Sequence, residues 1–270
     1  MDINQLNDLF KGRIKTAPES NSASGKIIVP YGPTKIGKTT TFCQSPDTLL
    51  VEALDESAKS LKESGAIRQD LPVISATDFH DVVDICKKLA SDPNHGFKRV
   101  VIDGGSGMNS WSDEMAIAND FDGKRSEFTS WGRGEKTTAF YWQEFISALN
   151  ELRNAGIWVF LICHKAVVSV KNPDGSDYYR SQPDLGKYVL SMVLKHADAI
   201  LYFDYAIETQ GGQKGTGAKA VGSARVMRCT PNASYEAGNR LNLPAMIELG
   251  DSPEEAAKAF YKAVKQGKRN

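Results

Sequence analysis

Short apolar runs and segments of helical period take turns along this chain from Lys26 onward. KIIVP reads as a strand ending at Pro30, and TLLVEA (48–53), LPVIS (71–75) and KRVVID (98–103) read as further strands. IWVFLIC (157–163) is nearly continuous in apolar residues, as a strand covered on both faces should be. Between these runs the period lengthens. A glycine-rich turn, YGPTKIGKTT, leads into a short helix, and SAKSLKES is helical. Thr77 is a suitable N-cap for a helix carrying Phe79, Val82, Val83, Ile85 and Leu89 on one stripe. Residues 135–154 repeat helically through Phe140, Phe145, Ile146, Leu149 and Leu152, and Gly156 stops them. After Pro183 a helix runs to about His196. ADAILYFDYAIE and SARVMRC then flank a Gly/Lys-rich tip, GGQKGTGAKAVG, as a β-hairpin, and SPEEAAKAFYKAVKQG closes the chain as a helix.

Strands alternating with helices imply βαβ units around a parallel sheet. The expected fold is therefore α/β, with a mostly parallel sheet, helices on both faces and a late antiparallel β-hairpin. Residues 1–25, ending in TAPESNSASG, read as an arm or tether; 26–250 form the core and 251–270 a C-terminal helix.

Composition narrows the functional classes. The chain has 270 residues, 41% hydrophobic and 24% charged, which excludes disorder, collagen or coiled coil as a description of the whole. Lys plus Arg and Asp plus Glu each number 33, so any nucleic-acid site must be a local patch. The apolar run Ile157–Cys163 is far shorter than the roughly 20 residues of a membrane helix. The polar N-terminus does not read as a signal peptide. Cys43, Cys86, Cys163 and Cys229 lie apart with no CxxC pair, which argues against a metal or disulfide scaffold. A cytoplasmic protein without membrane contact is expected.

The strongest chemistry lies in Gly32-Pro33-Thr34-Lys35-Ile36-Gly37-Lys38-Thr39, a full GxxxxGK[ST] match followed by Thr40. Glycines let backbone N–H groups turn inward around phosphates, and the following helix offers its positive N-terminus. Lys38 would reach the β and γ phosphates, and the Thr39 hydroxyl would ligate Mg²⁺. An apolar strand before the loop and a helix after it separate this match from chance. The partner such a loop needs is an Asp ending a buried strand, and VVID supplies Asp103 for the Mg²⁺ shell. A carboxylate to polarise the attacking water would come from Glu52, Asp55 or Glu56. Acidic residues at a helix start are also common for their own reasons.

These parts, in this order, resemble the RecA-like branch of P-loop ATPases. More closely they resemble the phage AAA-domain ATP-binding proteins that act as core-only recombinases in single-strand annealing. The resemblance spans roughly residues 26–250. Its marks are the phosphate loop, the acidic strand end, VVID, Trp131-Gly132 before a long helix, Cys163-His164-Lys165, an AD-x-I strand and a late Asn239-Arg240. It implies Mg-ATP hydrolysis, single-stranded DNA as partner, and self-association as a ring or filament, with a single-strand-binding protein as a further partner. By resemblance, Asp55 or Glu56 activates water, with Glu52 in reserve. His164 would sense the γ-phosphate, and Arg240 would act as a finger in a neighbouring subunit's site, Gly238 standing where relatives have Lys. Gly104-Gly105 follow Asp103 where relatives often show Ser or Thr, a place Ser106 could fill.

The segment after His164 carries Lys165, Lys171, Arg180 and Lys187 interleaved with Tyr178, Tyr179 and Tyr188. Cations for the backbone and aromatics for the bases are how single strands are held without sequence preference. The resemblance places a DNA-contacting loop here, while Asp174, Asp177 and Asp184 favour a plain solvated loop. Rival functions with the same core are a replication helicase or helicase loader, a small-molecule phosphotransferase, and a nucleotide-gated interaction module.

Overall fold

Strands β1 (Ile27–Gly32) and β2 (Thr48–Ala53) are buried along their whole length, which is why their sequences show no polar alternation. The computed structural model describes residues 24–54, 56–206, 208–210, 219–221 and 224–268. Residues 1–23 of the expected arm, Asp55 and the hairpin tip around Lys214 lie outside them. The other strands are β3 (Val73–Ala76), β4 (Arg99–Asp103), β5 (Trp158–Val170), β6 (Tyr178–Pro183), β7 (Ala199–Tyr205), β8 (Glu208–Gln210), β9 (Lys219–Val221), β10 (Arg225–Arg228), β11 (Gly238–Asn239) and β12 (Met246–Glu248). The main sheet runs β12-β10-β7-β1-β5-β4-β2-β3. From β7 to β3 the neighbours are all parallel, whereas β10 and β12 add antiparallel edges. The late hairpin is present: β8 pairs antiparallel with β9, between β7 and β10.

The helices are α1 (Lys38–Phe42), α2 (Ala58–Glu63), α3 (Phe79–Ser91), α4 (Gly105–Asp120), α5 (Arg125–Thr129), α6 (Arg133–Asn154), α7 (Lys187–His196) and α8 (Pro253–Gly267). The two-residue period of the strands splits the core between the faces of the sheet. Ile27, Val29 and Tyr31 join Phe79, Trp142, Phe145 and Leu149 on one face. Ile28 joins Phe42, Phe160, Phe203 and Phe260 on the other. Phe42, at the end of α1, stacks on Phe160 with ring centroids 4.2 Å apart and meets Phe260 edge-on at 5.3 Å. This cluster fastens the helix behind the phosphate loop to β5 and α8. Phe42→Ala should destabilise the fold by about 3–5 kcal/mol, the usual cost of deleting a buried aromatic. Denaturant unfolding checks this, and a loss below about 1 kcal/mol would contradict the packing.

Four local expectations change. Asp78, not Thr77, caps α3: its carboxylate accepts the Asp81 N–H, while the Thr77 N–H and hydroxyl donate to Asp81. Phe140 lies on the outer face of α6, 68% exposed, because the true apolar stripe runs through Trp142, Phe145, Ile146, Leu149 and Leu152. The glycines and serines after Asp103 hid helix α4, whose inner face is Met108, Ser112, Ala116 and Ile117. Finally, the segment after His164 is not a loop. β5 continues to Val170 and pairs antiparallel with β6, from Lys165 opposite Pro183 to Val170 opposite Tyr178. Among the described residues, no helix is long and apolar enough to cross a membrane.

Candidate nucleotide site

β1 leaves the sheet at Gly32, where a Cβ would come within 2.4 Å of the Phe203 carbonyl oxygen, so only glycine fits. The loop then runs through Pro33, Thr34 and Lys35 to Ile36, whose buried side chain anchors it in the core. Gly37 holds φ at 100° and starts α1, and the Thr40 and Thr41 hydroxyls donate to its carbonyl at 3.1 and 2.6 Å. Lys38 is buried and its Nζ donates back to the Gly32 and Pro33 carbonyls at 3.1 and 2.8 Å. The ammonium is thus held across the loop. β5 separates β1 from β4, and Asp103 ends β4 beside it. The Thr39 hydroxyl donates to Asp103 Oδ2 at 2.6 Å. A cavity of about 610 Å³ opens over these groups, lined also by Glu56, His164 and Arg225. That size suits a nucleotide.

Thr39 and Asp103 supply one neutral and one anionic oxygen side by side, the hard donors a magnesium ion takes. Among the described residues no group of three His, Cys, Asp or Glu could hold a metal alone. The pair fits an ion whose remaining ligands are phosphate oxygens and water.

The acids separate by geometry. Glu52 stands opposite Asp103 in the β2–β4 register, but both its oxygens are committed. Oε1 accepts the Ala58 N–H at 2.6 Å and Oε2 the Ser75 hydroxyl at 3.2 Å. Glu52 thereby ties the start of α2 to the sheet. Glu56 is exposed and faces the cavity, whereas Asp55 lies outside the described residues.

His164 also lines the cavity, paired in register with Gly32. Its N–H donates to Ser106 Oγ at 3.1 Å, and Ser106 donates to the Asp184 carbonyl at 2.9 Å. The Asp184 N–H returns to the His164 carbonyl at 2.9 Å. Ser106 therefore joins the segment after Asp103 to both strands of the β5–β6 hairpin. A Cβ on Gly105 would lie 2.9 Å from Cys163 Sγ, so the glycine lets α4 approach β5 this closely.

Arg225 is the site residue that motif reading missed, because nothing around the SARVMRC strand marks it. It reaches back from β10 and donates through Nη1 to the Ile36 carbonyl at 3.4 Å. Its Nε and Nη2 donate to the Gly250 and Ser252 carbonyls at 2.9–3.2 Å. Among the described residues no carboxylate pairs with it, so its charge stands beside the phosphate loop held by neutral carbonyls.

Arg240 is not brought to this cavity within the chain. It sits at the other end of the sheet, where its N–H donates to the Asp198 carbonyl and its Nη2 reaches the Lys195 carbonyl at 3.5 Å. The AD and Asn-Arg motifs also brace the fold there. Asp198 accepts the Ile27 N–H at 2.9 Å, and Asn239 Oδ1 accepts the Leu241 and Leu243 N–H groups.

On the hairpin, Lys171 pairs with Asp177 at 2.6 Å and Arg180 with Glu236 at 2.7 Å. Tyr179 is 75% exposed, Tyr178 36%, and Lys165 sits half-buried at the base. Lys187 opens α7 instead. The four cysteines are buried and unbridged, and burial raises every thiol, Cys86 and Cys229 to about 12, so none is poised as a nucleophile.

A parallel sheet whose central strand ends in a GxxxxGKT loop, with an aspartate-ended strand one place removed, defines a P-loop ATPase. Residues 24–241 match the AAA domain family, and the chain belongs to it. No curated protein matches it. A crystal structure of the RadB recombinase is similar at 14% identity over 93% of this chain and 94% of that one, with a TM-score of 0.44.

Proposed function

We propose that this chain is a Mg-ATP-dependent, single-stranded-DNA-binding ATPase of phage recombination or strand annealing, working as a ring or filament. One observation carries the reading: the hydrogen-bonded chain from the segment after Asp103 through Ser106 and His164 to Asp184. It links His164 at the cavity, the residue proposed to sense the γ-phosphate, to the end of the hairpin and the segment that leads into α7, so a change at the nucleotide can move a distant surface. The bound ion would polarise the phosphate and neutralise its charge. Lys38 would hold the β and γ phosphates, Thr39 and Asp103 the ion's shell, and Glu56 would orient the attacking water, with Asp55 beside it in sequence as the alternative. Arg240 would serve only a neighbour's site, since its own lies at the opposite end of the sheet.

Among the described arginines Arg225 alone lines the cavity, short of the several that a phosphotransferase lid needs. Arg125 pairs with Glu114, Arg153 with Asp198 and Arg180 with Glu236, all outside the cavity. Annealing of complementary strands, set against unwinding of a forked duplex, tests the role. The account expects ATP-dependent annealing without unwinding, and the reverse would make the protein a helicase. Arg225→Ala should weaken ATP binding roughly tenfold or more, as loss of a charged hydrogen bond does. Nucleotide titration checks this, and unchanged affinity would remove Arg225 from the site.

A further inference from the structure

The hairpin carries aromatics but pairs its two outer cations with Asp177 and Glu236, which leaves less unpaired positive charge there for a single strand. The groove between α6 and α7 offers it. This groove, of about 550 Å³, is lined by Gln143, Ser147 and Asn150 from α6 and by Tyr188 and Lys195 from α7. At one mouth Lys136 and Lys187 both approach the Tyr188 ring, at 5.9 and 5.8 Å from its centroid. The ring fixes two ammonium groups without cancelling their charge. At the other mouth stand Lys195 and His196, with Arg240 bonded to the Lys195 carbonyl. Burial holds the His196 imidazole below its ordinary range, and the nearby charges of Lys195, Arg153 and Arg240 add to that shift.

Among the described residues none of Lys136, Lys187 or Lys195 pairs with a carboxylate. Glu151, 3.5 Å from the Ser147 hydroxyl, lines a neighbouring hollow instead. Phe140 completes the pattern. It lies one helical turn from Lys136 and one turn before Gln143, on the same stripe of α6, and is 68% exposed. From Tyr188 to Lys195 the groove runs about 10 Å, roughly three nucleotides at the ~3.4 Å rise of a stacked strand.

We infer that the α6–α7 groove is the single-strand track: Lys136, Lys187 and Lys195 take the backbone phosphates, Phe140 stacks a base, and Tyr188 positions the two lysines. This rests on the proposed single-strand binding and locates it. The test is anisotropy of a labelled oligothymidylate with Mg-ATP across a salt series. Replacing the three lysines by alanine should lower the log–log salt slope by about 2, at ~0.7 per phosphate contact. Their replacement by arginine should restore it. Phe140→Ala should weaken binding by about tenfold or more without changing the slope. Tyr188→Ala should lower the slope and Tyr188→Phe should keep it. Basal ATP hydrolysis should survive all of these.

A slope that falls in Lys171→Ala/Arg180→Ala and not in the triple-lysine variant would overturn the inference and return the site to the hairpin. Displacement of the oligonucleotide by polyglutamate with no effect of Phe140→Ala would also overturn it, marking a general polyanion surface. If the wild type binds no single strand at low salt, the functional reading falls with it. If the wild type binds and the groove variants are unchanged, only the groove is lost.

Discussion

Lys38→Ala will abolish productive ATP binding while the chain stays folded. The ammonium is buried at the loop and bonded to the Gly32 and Pro33 carbonyls. Losing the two carbonyl contacts costs about 1.5–3 kcal/mol each, as for any charged donor, against a domain stability of about 5–15 kcal/mol. Losing a charge-assisted contact to two phosphates should lower affinity and turnover by about 10²-fold or more. Titration of a fluorescent ATP analogue, alongside circular dichroism, separates the two effects. A folded variant with wild-type affinity would mean the loop does not bind phosphate.

Asp103→Asn will divide binding from hydrolysis. The asparagine carbonyl can still accept the Thr39 hydroxyl, now bonded at 2.6 Å, so the end of β4 keeps its geometry. The negative charge facing the ion's shell is lost. Nucleotide affinity should drop modestly and turnover by on the order of 10²–10³, since charge stabilisation around the phosphoryl group is the main catalytic term. Single-turnover hydrolysis at saturating ATP reads this directly. Undiminished turnover would make Asp103 an ordinary turn residue that happens to hold Thr39.

The sequence displayed what depends on local order. GxxxxGKT is contiguous, and VVID is a buried run with one charge at its end, so both halves of the nucleotide site could be read before their 2.6 Å contact was seen. The strands were legible because burial on both faces leaves unbroken apolar runs such as IWVFLIC. What failed to show was set by partners distant along the chain. Arg225 meets the phosphate loop 189 residues away, through a carbonyl, and carbonyls leave no mark in sequence. Val167 to Val170 looked like part of the polar turn 171–177 that follows them, and their pairing with β6, distant in sequence beyond that turn, is what continues the strand. Glu52 looked catalytic by position, and only the Ala58 and Ser75 contacts show it fastening α2. Phe140 fitted a helical period, but at a stripe boundary one residue decides between core and surface, and Trp142 took the core.

ATP turnover measured with magnesium, with and without single-stranded DNA, bears most directly on the central claim. The account predicts slow hydrolysis by the protein alone, several-fold stimulation by single-stranded DNA, and loss of both in Lys38→Ala. Hydrolysis indifferent to single-stranded DNA at low salt, or no hydrolysis under either condition, would contradict it.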